Sequence, residues 1–238
     1  MRQTIHTSGI FTTHALFELA RMPANQVEEI RAEIVAAIDS EGGVTNKAAV
    51  GKFHLLDSLL KEIGRFHSLF AVGSSRVTLR EAVIADGTVL PAGSVVAFAP
   101  KPLHHNPDVY HDPYKFDPFR FAKLRKGDED NAGHDIQQSF THLSNEYIVF
   151  GLGKHGCPGR FFAALKIKVI LAELLLSYDI AFPRRRVAHS QAVCIQYLHR
   201  TESDGAAYFY EAEGIDITLI GSVPFHLQSS CWIQIESP

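Results

Sequence analysis

The chain has 238 residues, enough for one sizeable domain or two small ones, and its 46% hydrophobic and 21% charged residues exclude wholesale disorder. A net charge of −3 supplies no general attraction for a polyanion, so no nucleic acid is expected as a partner. Three scattered cysteines, Cys157, Cys194 and Cys231, exclude a disulfide framework and fit a reducing compartment.

After Met1 the chain reads Arg-Gln-Thr-Ile-His-Thr-Ser, without the apolar run of a secretory signal. These residues already have the look of a helix interior. Ile10, Ala15, Leu16 and Leu19 keep helical spacing until Met22-Pro23. A second helix is predicted over 24–39, with Val27, Ile30, Ile34 and Ile38 as its apolar stripe and Glu41-Gly42-Gly43 ending it. A third runs from Leu55 to His67, with Leu56, Leu59, Leu60 and Ile63 on one face. Between Val77 and Pro100, short β-branched runs broken by Asp86-Gly87 and Pro91-Ala92-Gly93 predict strands joined by tight turns. Pro102 to Phe121 is rich in proline and aromatics and predicts an irregular meander. The charged, glycine-containing segment from Lys123 to Asp135 predicts a solvated loop. A long, largely buried helix is predicted over Phe161–Tyr178, with Leu165, Val169, Ala172 and Leu176 on one face and Leu171, Leu174 and Leu175 thickening it. Phe161 to Phe182 is the most apolar long segment. It carries Lys166, Lys168, Glu173 and Asp179, so no membrane span is expected. After Phe182 comes Arg184-Arg185-Arg186, a polar stretch, and a strand-leaning segment from Ile215 to Ile235.

The densest chemistry lies in Phe150-Gly151-Leu152-Gly153-Lys154-His155-Gly156-Cys157-Pro158-Gly159-Arg160. It sets one cysteine among small residues directly before the long helix. The open N–H groups of a helix start favour a thiolate, and glycines let backbone approach a large flat group. A free cysteine is also often a small buried hydrophobe, and a reactive or redox-sensing thiol is a further reading. No Cys-x-x-Cys is present and only His155 lies nearby, which disfavours zinc. Upstream, Glu62 and Arg65 stand three residues apart on the third helix. Helical spacing alone puts Glu62 beside the apolar face and Arg65 nearly opposite, the geometry of a weak exposed pair.

The run Phe-x-x-Gly-x-x-x-Cys-x-Gly, filled by Phe150, Gly153, Cys157 and Gly159, resembles the haem-binding signature of the cytochromes P450. Glu62-x-x-Arg65 followed by Pro118-Phe119-Arg120-Phe121 is similar to that family's Glu-x-x-Arg helix and Pro-x-Arg-Phe meander. Phe119 stands where glutamate is commoner. Ile5-His6-Thr7-Ser8 resembles the distal helix, with His6 in place of the usual acid. The resemblance runs in order from about Thr4 to Phe182. It implies a mainly α fold with a small β-sheet, a partial cytochrome P450 fold from the distal helix to the helix after the thiolate loop. Residues 1–182 would be the C-terminal, haem-binding half of such a domain, and 183–238 a divergent tail from a replaced C-terminus. The family's preceding segments, including its usual anchor, are not found in this sequence.

The implied activity is a haem-thiolate monooxygenase of the fungal secondary-metabolism type, inserting one oxygen atom from O2 into a small organic substrate. Cys157 would be the axial ligand of haem b, pushing electron density onto iron and favouring O–O cleavage. Pro158 has no N–H, so sulfur hydrogen bonds would come from Gly159 and Arg160. His155 and Arg76 would meet the propionates, Thr7 with His6 would steer protons, and Phe150, Gly151, Gly153 and Gly159 would shape the bend. Glu62, Arg65 and Arg120 would form a buried structural network. Electrons would come from NADPH through a reductase. The family usually works at the endoplasmic reticulum membrane facing the cytoplasm, and the location of this chain is left unknown. Two alternatives stand beside this: a truncated, inactive P450 fragment with weak or no haem binding, and a cysteine-dependent enzyme using Cys157 and His155.

Overall fold

The computed structural model describes residues 2–68, 73–126 and 136–182, and five further strands at 193–197, 207–212, 215–220, 225–228 and 232–235. The helices are α1 (Arg2–Arg21), α2 (Ala24–Glu41), α3 (Lys47–Gly51), α4 (His54–His67), α5 (Pro100–His104), α6 (Arg120–Lys126) and α7 (Arg160–Ser177). The strands are β1 (Gly73–Val77), β2 (Ala82–Val83), β3 (Val89–Leu90), β4 (Val95–Phe98), β5 (Tyr178–Ala181), β6 (Val193–Tyr197), β7 (Ala207–Ala212), β8 (Ile215–Ile220), β9 (Phe225–Gln228) and β10 (Trp232–Ile235). The chain is mainly α with small sheets. It divides into two compact units, Met1–Asp57 with Phe161–Pro238, and Ser58–Arg160. Among the described residues no helix is long and apolar enough to cross a membrane.

In the first unit, α1 buries Phe11, Ala15, Leu16 and Leu19. Ile10, expected inside, is 39% exposed, because Phe11 takes the inward position one residue on. Pro23 precedes α2, where a missing N–H costs nothing, and Gly42 at φ +78° ends it with an N–H returned to the Ile38 carbonyl. The helix α3 was not foreseen. It is started by Asn46, whose side-chain oxygen accepts from the Ala48 N–H at 2.9 Å. The first turn of α4 is capped from a distance: the Leu55 N–H donates to the Glu33 carboxylate on α2 at 2.8 and 3.2 Å.

The inward face of α7 needs correction. It is built on Ala164, Ile167, Lys168, Leu171, Ala172 and Leu175; of the expected residues Leu171, Ala172 and Leu175 are buried, while Leu165, Val169, Leu174 and Leu176 are half-buried. This helix is apolar on nearly every side, so hydropathy alone cannot choose its face. Polar partners choose it instead: Lys168 Nζ sits 2.5 Å from Asp57 Oδ1, and Arg31 Nε donates to the Leu175 carbonyl at 2.7 Å. Tyr178, expected in the helix, begins β5. The sheet order is β5-β6-β8-β7, with β6 and β8 parallel and the other pairs antiparallel, and β9 pairs with β10. The run Arg184–Arg186 lies outside the described residues.

In the second unit the continuing α4 buries Leu59, Leu60 and Ile63, and Phe121, Phe140 and Tyr147 are buried in the same unit. Antiparallel β1 and β4 pair Val77 with Val95, and β2 and β3 close around Asp86-Gly87, where Gly87 takes φ +87°. The stretch expected as an irregular meander starts with the short helix α5. At its far end Ser58 Oγ accepts from the N–H groups of Phe121 and Ala122 at 3.1 and 3.0 Å and donates to the Pro118 carbonyl at 2.9 Å. Those bonds start α6, so Lys123 to Lys126 is helical where a loop was expected. The remainder of that expected loop, 127–135, lies outside the described residues.

Candidate functional site

The bend before α7 is shaped by backbone conformations that side chains resist. Gly151 and Gly153 adopt φ +78° and +60°. Between them and Cys157 the chain makes one 3-10 turn over Gly153–His155, closed by the Gly156 N–H on the Gly153 carbonyl at 3.0 Å. The Cys157 N–H then donates to the Phe150 carbonyl at 2.7 Å, tying the two ends of the bend together. Phe150 is anchored edge-on against buried Phe140, with ring centroids 5.0 Å apart. The Cys157 thiol is exposed. Space is tight at Gly156, where a Cβ would collide with Leu143 Cδ1, whereas one on Gly159 would make ordinary contact with the sulfur at 3.9 Å.

Arg160 leaves this bend with its guanidinium directed back along it. Nη1 donates to the Cys157 carbonyl at 3.0 Å and Nε to the Thr141 carbonyl at 3.1 Å. The backbone N–H of Arg160 also reaches the Cys157 carbonyl, at 3.4 Å. These donors thus go to two carbonyl oxygens, those of Cys157 and Thr141.

Glu62, Arg65 and Arg120 are brought together, and the expectation of an exposed Glu62–Arg65 pair is overturned. Both side chains are fully buried. Arg65 forks onto the carboxylate through Nε and Nη2 at 2.7 and 2.8 Å, while Arg120 Nε lies 3.2 Å from both oxygens. The Asp117 N–H donates to the same carboxylate at 3.0 Å. The remaining guanidinium donors hold the meander by its carbonyls: Arg65 binds those of His104, Pro113 and Lys115, and Arg120 those of His111, Asp112 and Lys115. Local helical geometry could not show this burial, because the meander that covers Arg65 is about forty or more residues away in sequence.

His104 was missed altogether. It is fully buried at the end of α5, its ring stacks on Tyr147 at 5.5 Å, and Nε2 accepts from the Ile148 N–H at 3.2 Å. Burial, and next the Arg65 and His105 charges, push its pKa down to about 4. No motif signalled it. The pair His104-His105 at the end of a short helix reads in sequence as two solvated rings.

His155 is exposed on the 3-10 turn. Arg76 is exposed on β1 with Nη1 on the neighbouring Ser75 carbonyl at 2.7 Å. His6 is exposed and Thr7 half-buried on α1, in the other unit.

A haem is compatible with the bend. The donor is one soft, exposed sulfur, the flanking backbone is bare of Cβ atoms at Gly151, Gly153 and Gly159, and a Cβ at Gly153 would meet open space. Among the described residues no group of three or more His, Cys, Asp or Glu side chains could hold a metal ion.

The sequence profile of the family described as Cytochrome P450 matches residues 4–193. The chain is 41% identical over 178 residues to cytochrome P450 monooxygenase 103 of Postia placenta, covering 75% of this chain and 34% of that protein. It is 34% identical to cytochrome P450 monooxygenase ascG of Acremonium egyptiacum, over 74% of this chain and 36% of the relative. With cytochrome P450 monooxygenase phqO of Penicillium fellutanum the identity is 36%, over 75% of this chain and 39% of the relative. The chain thus spans about a third of the length of these curated relatives.

Proposed function

We propose that this chain, which belongs to the cytochrome P450 family, carries the haem-binding C-terminal part of a haem-thiolate monooxygenase. The observation that carries the reading is the exposed Cys157 thiol on a glycine bend whose ends are joined by the bond from the Cys157 N–H to the Phe150 carbonyl. Bound haem b would supply the activation of O2 by which one oxygen atom enters a small organic substrate. The chain's own groups do the rest. Cys157 would hold the haem through its thiolate, and Phe150, Gly151, Gly153 and Gly159 would keep the approach to it open. His155 and Arg76 would hold the propionates. On α1, Thr7 holds a proton at its hydroxyl and His6 exchanges it, in the place of the family's usual acid. Glu62, Arg65 and Arg120 hold the meander. Electrons come from an NADPH-dependent reductase, and the substrate is a small organic molecule of fungal secondary metabolism. The family match reaches residue 193, past the expected start of the tail at 183, and the segment beyond the match is the divergent part.

The test is to reconstitute the full chain with haem and record the reduced, carbon monoxide-bound spectrum. The expected result is the strongly red-shifted Soret band of thiolate ligation, lost in Cys157→Ser. A shorter-wavelength band in the parent chain, or a shifted band persisting in the variant, rejects the ligand assignment.

A second reading is that this length of chain does not retain haem by itself. It is favoured by the apolar side chains left in solvent along the small strands and their connections: Val77, Leu79, Val83, Val95 and Phe98. The same titration separates the two, because here no Soret band develops. A cysteine-dependent enzyme using Cys157 and His155 would instead show turnover without haem.

A further inference from the structure

We propose that His104 is a positioning residue that carries the rigidity of the Glu62–Arg65 network into the bend that presents Cys157. The link is a continuous series of hydrogen bonds within one unit. Arg65 Nη1, fixed by the fork on Glu62, donates to the His104 carbonyl at 2.8 Å. The ring of the same residue accepts the Ile148 N–H at Nε2, at 3.2 Å. The Ile148 carbonyl in turn accepts the Gly151 N–H at 2.9 Å, and the next carbonyl but one, that of Phe150, accepts the Cys157 N–H at 2.7 Å. A displacement of Ile148 therefore moves both the first glycine of the bend and the acceptor that fixes the cysteine.

The ring is suited to this task by its surroundings. It is fully buried and stacked on Tyr147 with 27° between the planes, and a ring flip that kept the stack would lose the contacts of both nitrogens. Nδ1 lies 3.4 Å from Ser68 Oγ, which is itself 3.5 Å from the Arg65 carbonyl. A neutral ring with its proton on Nδ1 donates to Ser68 and leaves the Nε2 lone pair for Ile148. The lowered pKa keeps that form populated at neutral pH. Without the Nε2 lone pair, the Ile148 N–H loses its acceptor in a half-buried setting, and an unpaired donor there is costly.

The role for Cys157 rests on the proposed haem-thiolate reading, but the mechanical link is testable without haem. Amide hydrogen exchange is measured residue by residue on the full, haem-free chain and on two variants. His104→Phe keeps a flat ring on Tyr147 and removes the acceptor. His104→Gln offers a side-chain oxygen in its place. The expected result is that His104→Phe accelerates exchange at Ile148, Gly151 and Cys157 by about tenfold or more, with the interior amides of α4 unchanged and His104→Gln restoring most of the protection. Unchanged exchange at those three amides overturns the proposal. So does uniform acceleration throughout Ser58–Arg160, which would mark a merely structural residue. After haem addition, His104→Phe is expected to shift the carbon monoxide spectrum from the thiolate band towards the shorter-wavelength one. If the exchange result holds while the parent chain gives no thiolate band, the strut stands and the haem reading fails.

Discussion

Arg65 grips Glu62 with two parallel hydrogen bonds of 2.7 and 2.8 Å, and neither side chain retains any contact with solvent. Two charges taken so completely out of water are stable only because every lobe of the carboxylate and every edge of the guanidinium has a partner.

Removing one member should therefore be severe. Glu62→Gln, which keeps the shape and deletes the charge, is expected to destabilise the chain by about 3–5 kcal/mol in urea unfolding, because it strands the Arg65 cation. Lys123→Ala provides the contrast. Its bond to Asp117 is 2.7 Å long but the lysine is 66% exposed, so the loss should stay below about 1 kcal/mol. Similar losses for the two variants would contradict the buried network.

Stability should also depend on pH through His104. Its folded pKa is about 4, against about 6.5 for an unfolded chain, so between those values the unfolded state binds the extra proton. The contribution is fully present above about pH 6.5 and falls as the pH drops towards 4, by about 3 kcal/mol in all. His105 and His142 are shifted the same way by burial and act in the same direction. Urea midpoints between pH 4 and 7 should flatten in His104→Gln, and an unaltered slope would show that another group carries the effect.

Cys157 should be dispensable for folding and indispensable for the spectrum. Its thiol is exposed, so Cys157→Ser is expected to change unfolding free energy by no more than about 0.5 kcal/mol. Thiol labelling of the haem-free chain, mapped by mass spectrometry, should modify the Cys157 peptide without prior unfolding, and bound haem should protect it. Labelling that needs denaturant would refute the exposed placement.

Gly156→Ala tests the packing under the bend. The new methyl meets Leu143 Cδ1 at 2.4 Å and the Gly153 carbonyl at 3.2 Å, and this crowding should cost about 1–3 kcal/mol. Part of the clash is with a side chain, so Leu143→Ala in the same chain should recover a portion of the loss in a double-mutant cycle. Strict additivity would mean that the two groups do not meet.

The order of elements, the helical character of α1, α2, α4 and α7, and the position of the bend were legible in residue spacing, because they follow from local periodicity and from proline and glycine conformations. The short helices α3 and α5 were not, being too brief to show a period. The inward face of α7 was only partly legible: Leu171, Ala172 and Leu175 were read on it, but an almost wholly apolar helix carries no pattern that singles out Ala164, Ile167 and Lys168. Its choice belongs to Asp57 and Arg31, distant in sequence. The same separation explains the site. Sequence by itself determined which side chains could do chemistry: one cysteine among glycines, a Glu-x-x-Arg pair and a later arginine. Only the tertiary structure decided that Arg65 is buried rather than exposed and that His104 bonds to Ile148. Both depend on segments folded over them from about forty residues or more away, where burial and partner geometry outweigh any local preference.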